Sequence, residues 1–153
     1  MKTKIIKGKK GEDLAVEFLK KQGFKVIERN WRFSRVGEVD IIARDGDALV
    51  FVEVKARTSI NFGHPIEAIS ANKFNTMQKL AEIYISMLKQ KRFSDFKKPE
   101  LIEGSIISEN RNTKSQLAYY KNQVDDYKDF RLDLVGILLT KEPEITHIKG
   151  IYE

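Results

Sequence analysis

The chain contains no cysteine and only two histidines, His64 and His147, among its 153 residues. The absence of thiols excludes a disulfide framework, a thiolate zinc site and a cysteine nucleophile, and two histidines are too few for a histidine-rich metal centre. Any bound metal would therefore have oxygen ligands, which favour hard cations such as Mg²⁺ or Mn²⁺. The lack of cysteine also permits a reducing compartment, and we expect a cytoplasmic protein.

Long apolar runs are missing as well. The longest run, Leu134 to Leu139, is far shorter than the roughly 18 residues that a membrane span requires. The basic start of the chain, MKTKIIKGKK, is not followed by an apolar segment, so we expect neither a secretory signal nor a membrane partner. There is no internal repeat, and the length predicts a single domain over residues 1–153.

Positive charge is concentrated in the first part of the chain. The whole chain has 28 Lys/Arg and 22 Asp/Glu, a net charge of +6, and residues 1–60 have 14 Lys/Arg and 9 Asp/Glu, a net of +5. This asymmetry favours a polyanionic partner such as nucleic acid. A solvated, lysine-rich surface is the alternative explanation.

Hydrophobic periodicity predicts one helix and then three consecutive strands. Residues 8–22 have apolar side chains at helical spacing. Residues 24–33 are predicted to be extended, and Gly37 opens a second strand. The turn at Asp45-Gly46-Asp47 contains a strong hairpin signal, so a third strand is predicted from Ala48 to Ala56.

The second half of the chain predicts a helix, a polar insertion and two more strands. Ser70 is a suitable N-cap for a helix that runs to about Lys91. Residues 92–129 are polar and lack a sustained period, which predicts a partly mobile insertion. The segments LDLVGILL and EITHIKGI, separated by a turn with Pro143, are predicted strands. The order α-β-β-β-α-β-β predicts an α/β sandwich with a mixed sheet.

Ionisable residues occur at the end of the most apolar predicted strand. The sequence Val50-Phe51-Val52-Glu53-Val54-Lys55 is apolar on both sides before Glu53, which is typical of a central strand covered on both faces. Glu53 and Lys55 share one face of this strand, and Glu38 and Asp40 share one face of the preceding strand. The hairpin between the strands places Asp40 beside Glu53, so we expect two or three carboxylates and one ammonium in a small volume.

Such a cluster suits metal-assisted phosphodiester hydrolysis. A hard divalent cation relieves the repulsion between carboxylates, and Mg²⁺ typically takes one or two of them together with waters and a substrate phosphate. The cation lowers the pKa of a bound water and stabilises negative charge on phosphorus. Lys55 would orient that water, help to deprotonate it, or neutralise the developing charge.

Structural pairing is the alternative explanation for the same residues. Glu53 and Lys55 would then form a solvated pair, and Asp40 would pair with Arg44 or Lys55. A chain of this kind would be a structural protein with affinity for neither metal nor DNA.

Six motifs carry a resemblance to known proteins. They are G-x-x-G-E-D-L-A at 8–15, R-N-W-R at 29–32, G-E-V-D at 37–40, F-V-E-V-K-A-R at 51–57, F-G-H-P-I-E-A-I at 62–69 and R-L-D-L-V at 131–135. With these motifs the chain resembles the YraN-type family of small bacterial proteins, described as predicted endonucleases similar to Holliday-junction resolvases. It also resembles the P-D…(D/E)-x-K nuclease superfamily, which has the restriction-endonuclease-like fold.

The resemblance implies a three-layer α/β/α sandwich and metal-dependent cleavage of DNA, branched or structured DNA in particular. Asp40 and Glu53 would bind Mg²⁺ or Mn²⁺, Lys55 would be the catalytic lysine, and Glu12 would be a helix-borne carboxylate near the metal. Glu38 is a further candidate metal ligand, or else a hydrogen-bonded residue of the strand edge. The alternative role for Glu12 is support of the helix dipole from the first turn.

Three features depart from the pattern of these relatives. Val39 stands where the superfamily has Pro, and Leu132 stands where a Phe is expected. Both changes leave the catalytic set intact. The insertion at 92–129 is longer than usual in these relatives. The pattern therefore does not decide how substrate reaches the site, whether the chain forms a homodimer, or which DNA-processing protein it binds. The second function that the sequence supports is therefore a non-catalytic nucleic-acid-binding module with a nuclease fold.

The remaining charged and aromatic residues are predicted to contact nucleic acid or to stabilise the fold. Four basic residues are predicted to contact nucleic acid: Arg32, Arg35, Arg57 and Lys73. A solvated surface position is the alternative for Lys73. Trp31 is interpreted as a core residue of the sheet rather than as a base-stacking residue. Asp133, at the start of a predicted strand, is expected to pair with Arg131.

Overall fold

The computed structural model describes residues 2–61, 63, 64, 67, 69–89 and 127–151, with the backbone alone for residues 2–7. Within these residues the elements are α1 (Lys2–Lys21), β1 (Lys25–Phe33), β2 (Gly37–Asp45), β3 (Ala48–Arg57), α2 (Ala71–Lys89), β4 (Asp129–Leu138) and β5 (Glu144–Ile148). Their order confirms the predicted α-β-β-β-α-β-β arrangement. Most of the predicted insertion lies outside the described residues, and its last residue, Asp129, already belongs to β4.

The five strands form one mixed sheet in the order β1-β2-β3-β4-β5. The pairs β1–β2, β2–β3 and β4–β5 are antiparallel, whereas β3 and β4 run parallel from Ala48↔Asp129 to Arg57↔Leu138. The parallel pair is possible because the chain between β3 and β4 contains α2, which allows it to cross back over the sheet. The predicted mixed sheet is therefore confirmed.

Each face of the sheet is covered by one helix. On β3, Leu49 and Phe51 pack in the cluster that contains Met77 and Leu80 of α2, whereas Val50 and Val52 pack with α1. All four strand residues are at most 1% exposed, which confirms that β3 is a central strand buried on both faces. The described elements therefore form three layers, with the sheet between α1 and α2.

Helix α1 begins at Lys2, six residues before the predicted start at Gly8. The prediction rested on apolar residues at helical spacing, which lie from Leu14 onward, and the helix extends further toward the N-terminus than they do. Gly11 allows a close approach to β3, since a Cβ at this position would lie only 2.5 Å from the Cβ of Ala56. Glu12 therefore lies ten residues after the start of the helix, and its predicted role at the first turn is wrong.

Helix α2 begins as predicted, with Ser70 as its N-cap. The backbone N–H of Lys73 donates to Ser70 Oγ at 3.2 Å, which satisfies one of the free donors of the first turn. The helix also approaches the start of β2, because a Cβ on Gly37 would lie 3.1 Å from Thr76 Cγ2. Lys73 is thereby placed next to the start of β2 and the end of β3.

A buried carboxylate joins β4 to β5. Asp133 is fully buried; Arg131 Nε donates to its Oδ1 at 2.7 Å, and His147 Nε2 lies 2.9 Å from its Oδ2. Burial opposes the charged form of Asp133, but the hydrogen bonds from His147, Arg131 and the Gly150 N–H outweigh burial and hold its pKa below the ordinary value. The predicted pairing of Arg131 with Asp133 is confirmed, and Arg131 also contacts Asp45 at 2.8 Å.

Neither helix in the described part of the chain has the length and apolar character needed to cross a membrane.

Candidate functional site

The site lies where β2 and β3 separate. Their regular pairing extends from Asp45↔Ala48 to Ile41↔Val52 and stops there. Beyond that point the Asp40 side chain replaces the missing backbone partner, because the Val54 N–H donates to Asp40 Oδ2 at 2.7 Å. The Asp40 carboxylate is thus fixed against β3 rather than extended into solvent.

Asp40 has an unusual protonation equilibrium. Burial is the largest cause, followed by the negative charge of Glu53, and together they raise the pKa of Asp40 to about 7. The Val54 N–H and the Lys73 ammonium oppose this effect, whereas Glu12 adds to it. The sensitivity to Glu53 and Glu12 shows that the three carboxylates act on one another electrostatically.

Glu53 is held between two lysines. Its side chain is only 3% exposed; Lys55 Nζ lies 2.6 Å from Oε1 and Lys73 Nζ lies 2.7 Å from Oε2. The Lys55 contact has the geometry of a hydrogen bond. The Lys73 contact is an ion pair only, because Glu53 Oε2 is buried and accepts no hydrogen bond from the described residues.

Glu12 approaches the site from α1 but makes its contacts with β1. Asn30 Nδ2 donates to Glu12 Oε2 at 3.1 Å, and Arg29 lies 3.9 Å from the same oxygen. Asn30 has a positive φ of 52°, which is uncommon for a residue with a side chain. These contacts hold the Glu12 carboxylate on the α1 side of the site.

Glu38 lies at the rim of the site, where it forms an ion pair with Arg32. Both side chains are partly exposed, at 38% for Glu38 and 61% for Arg32. The backbone carbonyl of Glu38 lies nearer the centre, 3.5 Å from Lys73 Nζ. The structure thus places a carbonyl oxygen of Glu38, rather than its carboxylate, next to the lysine that contacts Glu53.

The other predicted nucleic-acid contacts surround the same end of the sheet. Arg35 is exposed in the turn between β1 and β2, beside Arg32. Arg57 lies at the end of β3, and its Nη1 donates to the Gly63 carbonyl at 2.8 Å, so it supports the loop that follows the strand. Trp31 is buried and packs edge-on against Tyr84, which confirms its predicted place in the core.

A sequence profile described as "Uncharacterised protein family UPF0102" matches residues 11–137 of the chain. This range contains the second half of α1, all of α2 and of β1 to β3, and β4 except its last residue. The chain belongs to this family. The resemblance to the YraN-type family is thereby supported, because that family and UPF0102 are the same group.

UPF0102 relatives from distant bacteria are similar over half of the chain or more. A UPF0102 protein of Dictyoglomus turgidum is 53% identical over 90 residues, which are 59% of this chain and 75% of the relative. One from Dictyoglomus thermophilum is 50% identical over 65% of this chain and 80% of the relative. One from Streptomyces griseus is 55% identical over 51% of this chain and 65% of the relative.

The carboxylates of the site suit a metal ion that takes few of its ligands from the protein. Among the residues that the structure describes, no group of three or more His, Asp or Glu side chains is arranged to hold a metal ion. Asp40 and Glu53 nevertheless provide two interacting carboxylates. The buried Oε2 of Glu53 accepts no hydrogen bond from the described residues. Two carboxylates are sufficient for Mg²⁺, which usually retains several waters and takes further oxygens from a substrate phosphate.

The structure brings together Asp40, Glu53, Lys55 and Lys73, whereas Glu12 and Glu38 make their side-chain contacts with β1. Sequence reasoning found the first three but missed the pairing of Lys73 with Glu53. The available signal was its place directly after the N-cap of α2, because a crossover helix begins at the edge of the sheet where the preceding strand ends. Asn30 was also missed, and no pattern in the sequence indicates its positive φ.

Proposed function

We propose that this UPF0102 chain is a metal-dependent endonuclease that hydrolyses phosphodiester bonds in DNA, with a restriction-endonuclease-like fold. Asp40 and Glu53 would hold Mg²⁺ or Mn²⁺, and Lys55 would be the catalytic lysine. The observation that carries the proposal is the position of these groups. Two carboxylates and a lysine meet where β2 and β3 separate, and Asp40 is fixed there by the Val54 N–H.

The burial of the carboxylates supports a cation as their partner. Two neighbouring carboxylates in a poorly solvated place are costly unless a positive charge compensates them. Burial and the charge of Glu53 raise the pKa of Asp40 in spite of the opposing Lys73 ammonium. When bound, the cation would supply an activated water and stabilise charge on phosphorus. Its binding would also require Asp40 to be ionised.

Lys55 is positioned to act on the reacting phosphate. Its ammonium is one-third exposed and is oriented by Glu53 Oε1 at 2.6 Å, so it has a fixed position while remaining accessible from solvent. A preorganised ammonium stabilises negative charge that develops on a phosphate oxygen and orients a neighbouring water for attack. Neutralising Lys55 should therefore reduce the rate of cleavage more than the affinity for DNA.

The basic residues near the site would bind the DNA backbone. Arg32 and Arg35 lie beside the β1–β2 turn, at the end of the sheet where Asp40 and Glu53 meet. Arg32 is well exposed despite its contact with Glu38. Arginine at such a surface contacts phosphates without reading sequence, which fits an enzyme that recognises the shape of structured DNA.

Cleavage of labelled branched, flap and linear DNA in Mg²⁺ or Mn²⁺ tests this proposal. Wild type should cut at least one substrate, and Asp40→Asn and Glu53→Gln should abolish cutting while binding remains nearly intact. Asp47→Asn is the matched control, because Asp47 lies on the β2–β3 turn with 57% of its side chain exposed. Retained cutting in both site variants would refute the assigned site.

A second candidate function is a non-catalytic nucleic-acid-binding module with the same fold. The contact that favours it is the pairing of Glu53 with two lysines, which neutralises the carboxylate without any metal. This module would act with a DNA-processing protein or as a homodimer. It predicts DNA binding that weakens as salt increases, with no cleavage at any metal concentration; binding that is independent of salt would contradict it.

A further inference from the structure

Lys73 makes an unusual contact for a lysine at the start of a surface helix. Its ammonium lies 2.7 Å from Glu53 Oε2, a buried oxygen that accepts no hydrogen bond from any residue that the structure describes. The Lys73 side chain is 26% exposed, whereas the Glu53 side chain is 3% exposed. One end of this ion pair is therefore fixed in the protein, and the other is on a flexible stem with access to solvent.

The two lysines that contact Glu53 are held differently. Lys55 extends from the same strand as Glu53 and donates a hydrogen bond to Oε1. Lys73 extends from another element, α2, and contacts Oε2 without hydrogen-bond geometry. Lys73 is the more easily displaced of the two, because its contact with Glu53 lacks the hydrogen-bond geometry that Lys55 has.

We propose that Lys73 is an exchangeable counter-ion that occupies Glu53 Oε2 until a divalent cation displaces it, and that the displaced ammonium then binds a DNA phosphate. This inference rests on the proposed function, since it assigns Glu53 as a metal ligand. An ammonium and a divalent cation that contact the same carboxylate oxygen repel each other strongly at close range. The metal and Lys73 therefore compete for the same atom.

The exchange couples the binding of metal to the binding of DNA. Without DNA, metal binding leaves the Lys73 ammonium without its anion, which reduces the affinity for the metal. A phosphate near the site supplies a new anion for Lys73 and removes that cost. By linkage, each ligand then increases the affinity for the other.

The first test is calorimetric titration of Mn²⁺ into Lys73→Met and wild type without DNA, at a pH of about 8, which lies above the raised pKa of Asp40. Lys73→Met should bind Mn²⁺ roughly tenfold more tightly, which corresponds to about 1.4 kcal/mol. Lys79→Met is the matched control, because Lys79 is exposed on the same helix and its loss changes the net charge equally. It should leave the affinity unchanged within about twofold. If Lys73→Met does not fold, Lys73→Gln gives the same comparison.

The outcomes separate this inference from the proposed function. Equal or weaker Mn²⁺ binding by Lys73→Met overturns the exchange but leaves the metal site intact. No Mn²⁺ binding by any of the proteins, also with a short DNA duplex present, refutes both the metal site and the exchange.

A second titration tests the phosphate step with the same duplex. The duplex should increase the Mn²⁺ affinity of wild type by more than that of Lys73→Met. An equal increase in both proteins overturns the transfer of Lys73 to a phosphate.

Discussion

Replacing Gly11 with alanine should destabilise the protein, although the same change in a free helix is stabilising. In a helix interior, Gly→Ala normally contributes roughly 0.5–1 kcal/mol of stability through the lower entropy of the unfolded chain and the better helix propensity. At Gly11, however, the new Cβ would lie 2.5 Å from Ala56 Cβ on β3. Since carbon atoms pack at roughly 3.5–4 Å, α1 and β3 must move apart by about 1 Å.

The cost of this movement should exceed the gain. Overpacking of a well-packed interface typically costs about 1–3 kcal/mol, and the Ala56 methyl group is attached directly to the backbone, so it has no rotamer that relieves the contact. We therefore expect Gly11→Ala to lower the free energy of unfolding by roughly 1–2 kcal/mol. The matched control is Gly8→Ala on the same helix, where a Cβ would meet nothing within 4 Å. It should raise the free energy of unfolding by about 0.5–1 kcal/mol.

Urea denaturation of the two variants and wild type measures this difference directly. The double variant Gly11→Ala/Ala56→Gly restores the space between helix and strand, so its stability should exceed the sum of the two single effects by at least about 1 kcal/mol. If Gly11→Ala is as stabilising as Gly8→Ala, the close approach of α1 to β3 at Gly11 is refuted. Confirmation would show that Gly11 is required to bring α1 close to β3 beside Lys55.

Three further predictions concern stability. Burial raises the pKa of Glu28 to about 7, although a hydrogen bond with Tyr84 opposes this shift. Wild type should therefore lose stability as the pH rises from about 4.5 through about 7. At a pH of about 8, Glu28→Gln should be more stable than wild type, by at most about 3 kcal/mol. Asp133→Asn should cost roughly 3 kcal/mol, the lower end for breaking a buried ion pair, because Arg131 loses its buried partner and keeps only its contact with Asp45. That cost should shrink as pH falls below the ordinary pKa of 3.8, where the wild-type stabilisation is lost; a constant difference would contradict the ion pair. Ser70→Ala should cost about 1 kcal/mol through loss of the N-cap. Thermal or chemical denaturation over a range of pH checks all three.

The sequence predicted the fold well because its hydrophobic pattern is regular. The apolar residues before Glu53 indicated a strand covered on both faces, and the Asp45-Gly46-Asp47 turn fixed the hairpin that follows β2. The start of α1 was predicted too late, because the apolar residues at helical spacing lie in the later part of the helix. Gly11 lies within the helix for a tertiary reason, the approach to Ala56, which no local pattern shows.

The candidate site was predicted in its residues but not in its contacts. Alternation along the strands was sufficient to place Asp40 near Glu53. It could not show that pairing of β2 with β3 ends at Ile41, so that the Asp40 side chain accepts the Val54 N–H. Nor could it show that Lys73 reaches Glu53, because that contact depends on how α2 packs on the sheet after a loop of more than ten residues.

The roles assigned to Glu12 and Glu38 as metal ligands stay predictions. Glu12 contacts Asn30, and Glu38 contacts Arg32, so each carboxylate has a partner on β1. Joining a cation at Asp40 would change the surroundings of these carboxylates. A change of this kind depends on ligands, which a strand pattern does not describe.

Calorimetric titration of Mn²⁺ or Mg²⁺ with a short DNA duplex present measures whether Asp40 and Glu53 form a divalent-cation site. The duplex is included because a phosphate completes the coordination of such cations. Wild type and Asp47→Asn should bind the cation, and Asp40→Asn should not. Binding by Asp40→Asn with the wild-type affinity, or no binding by wild type, would contradict the account.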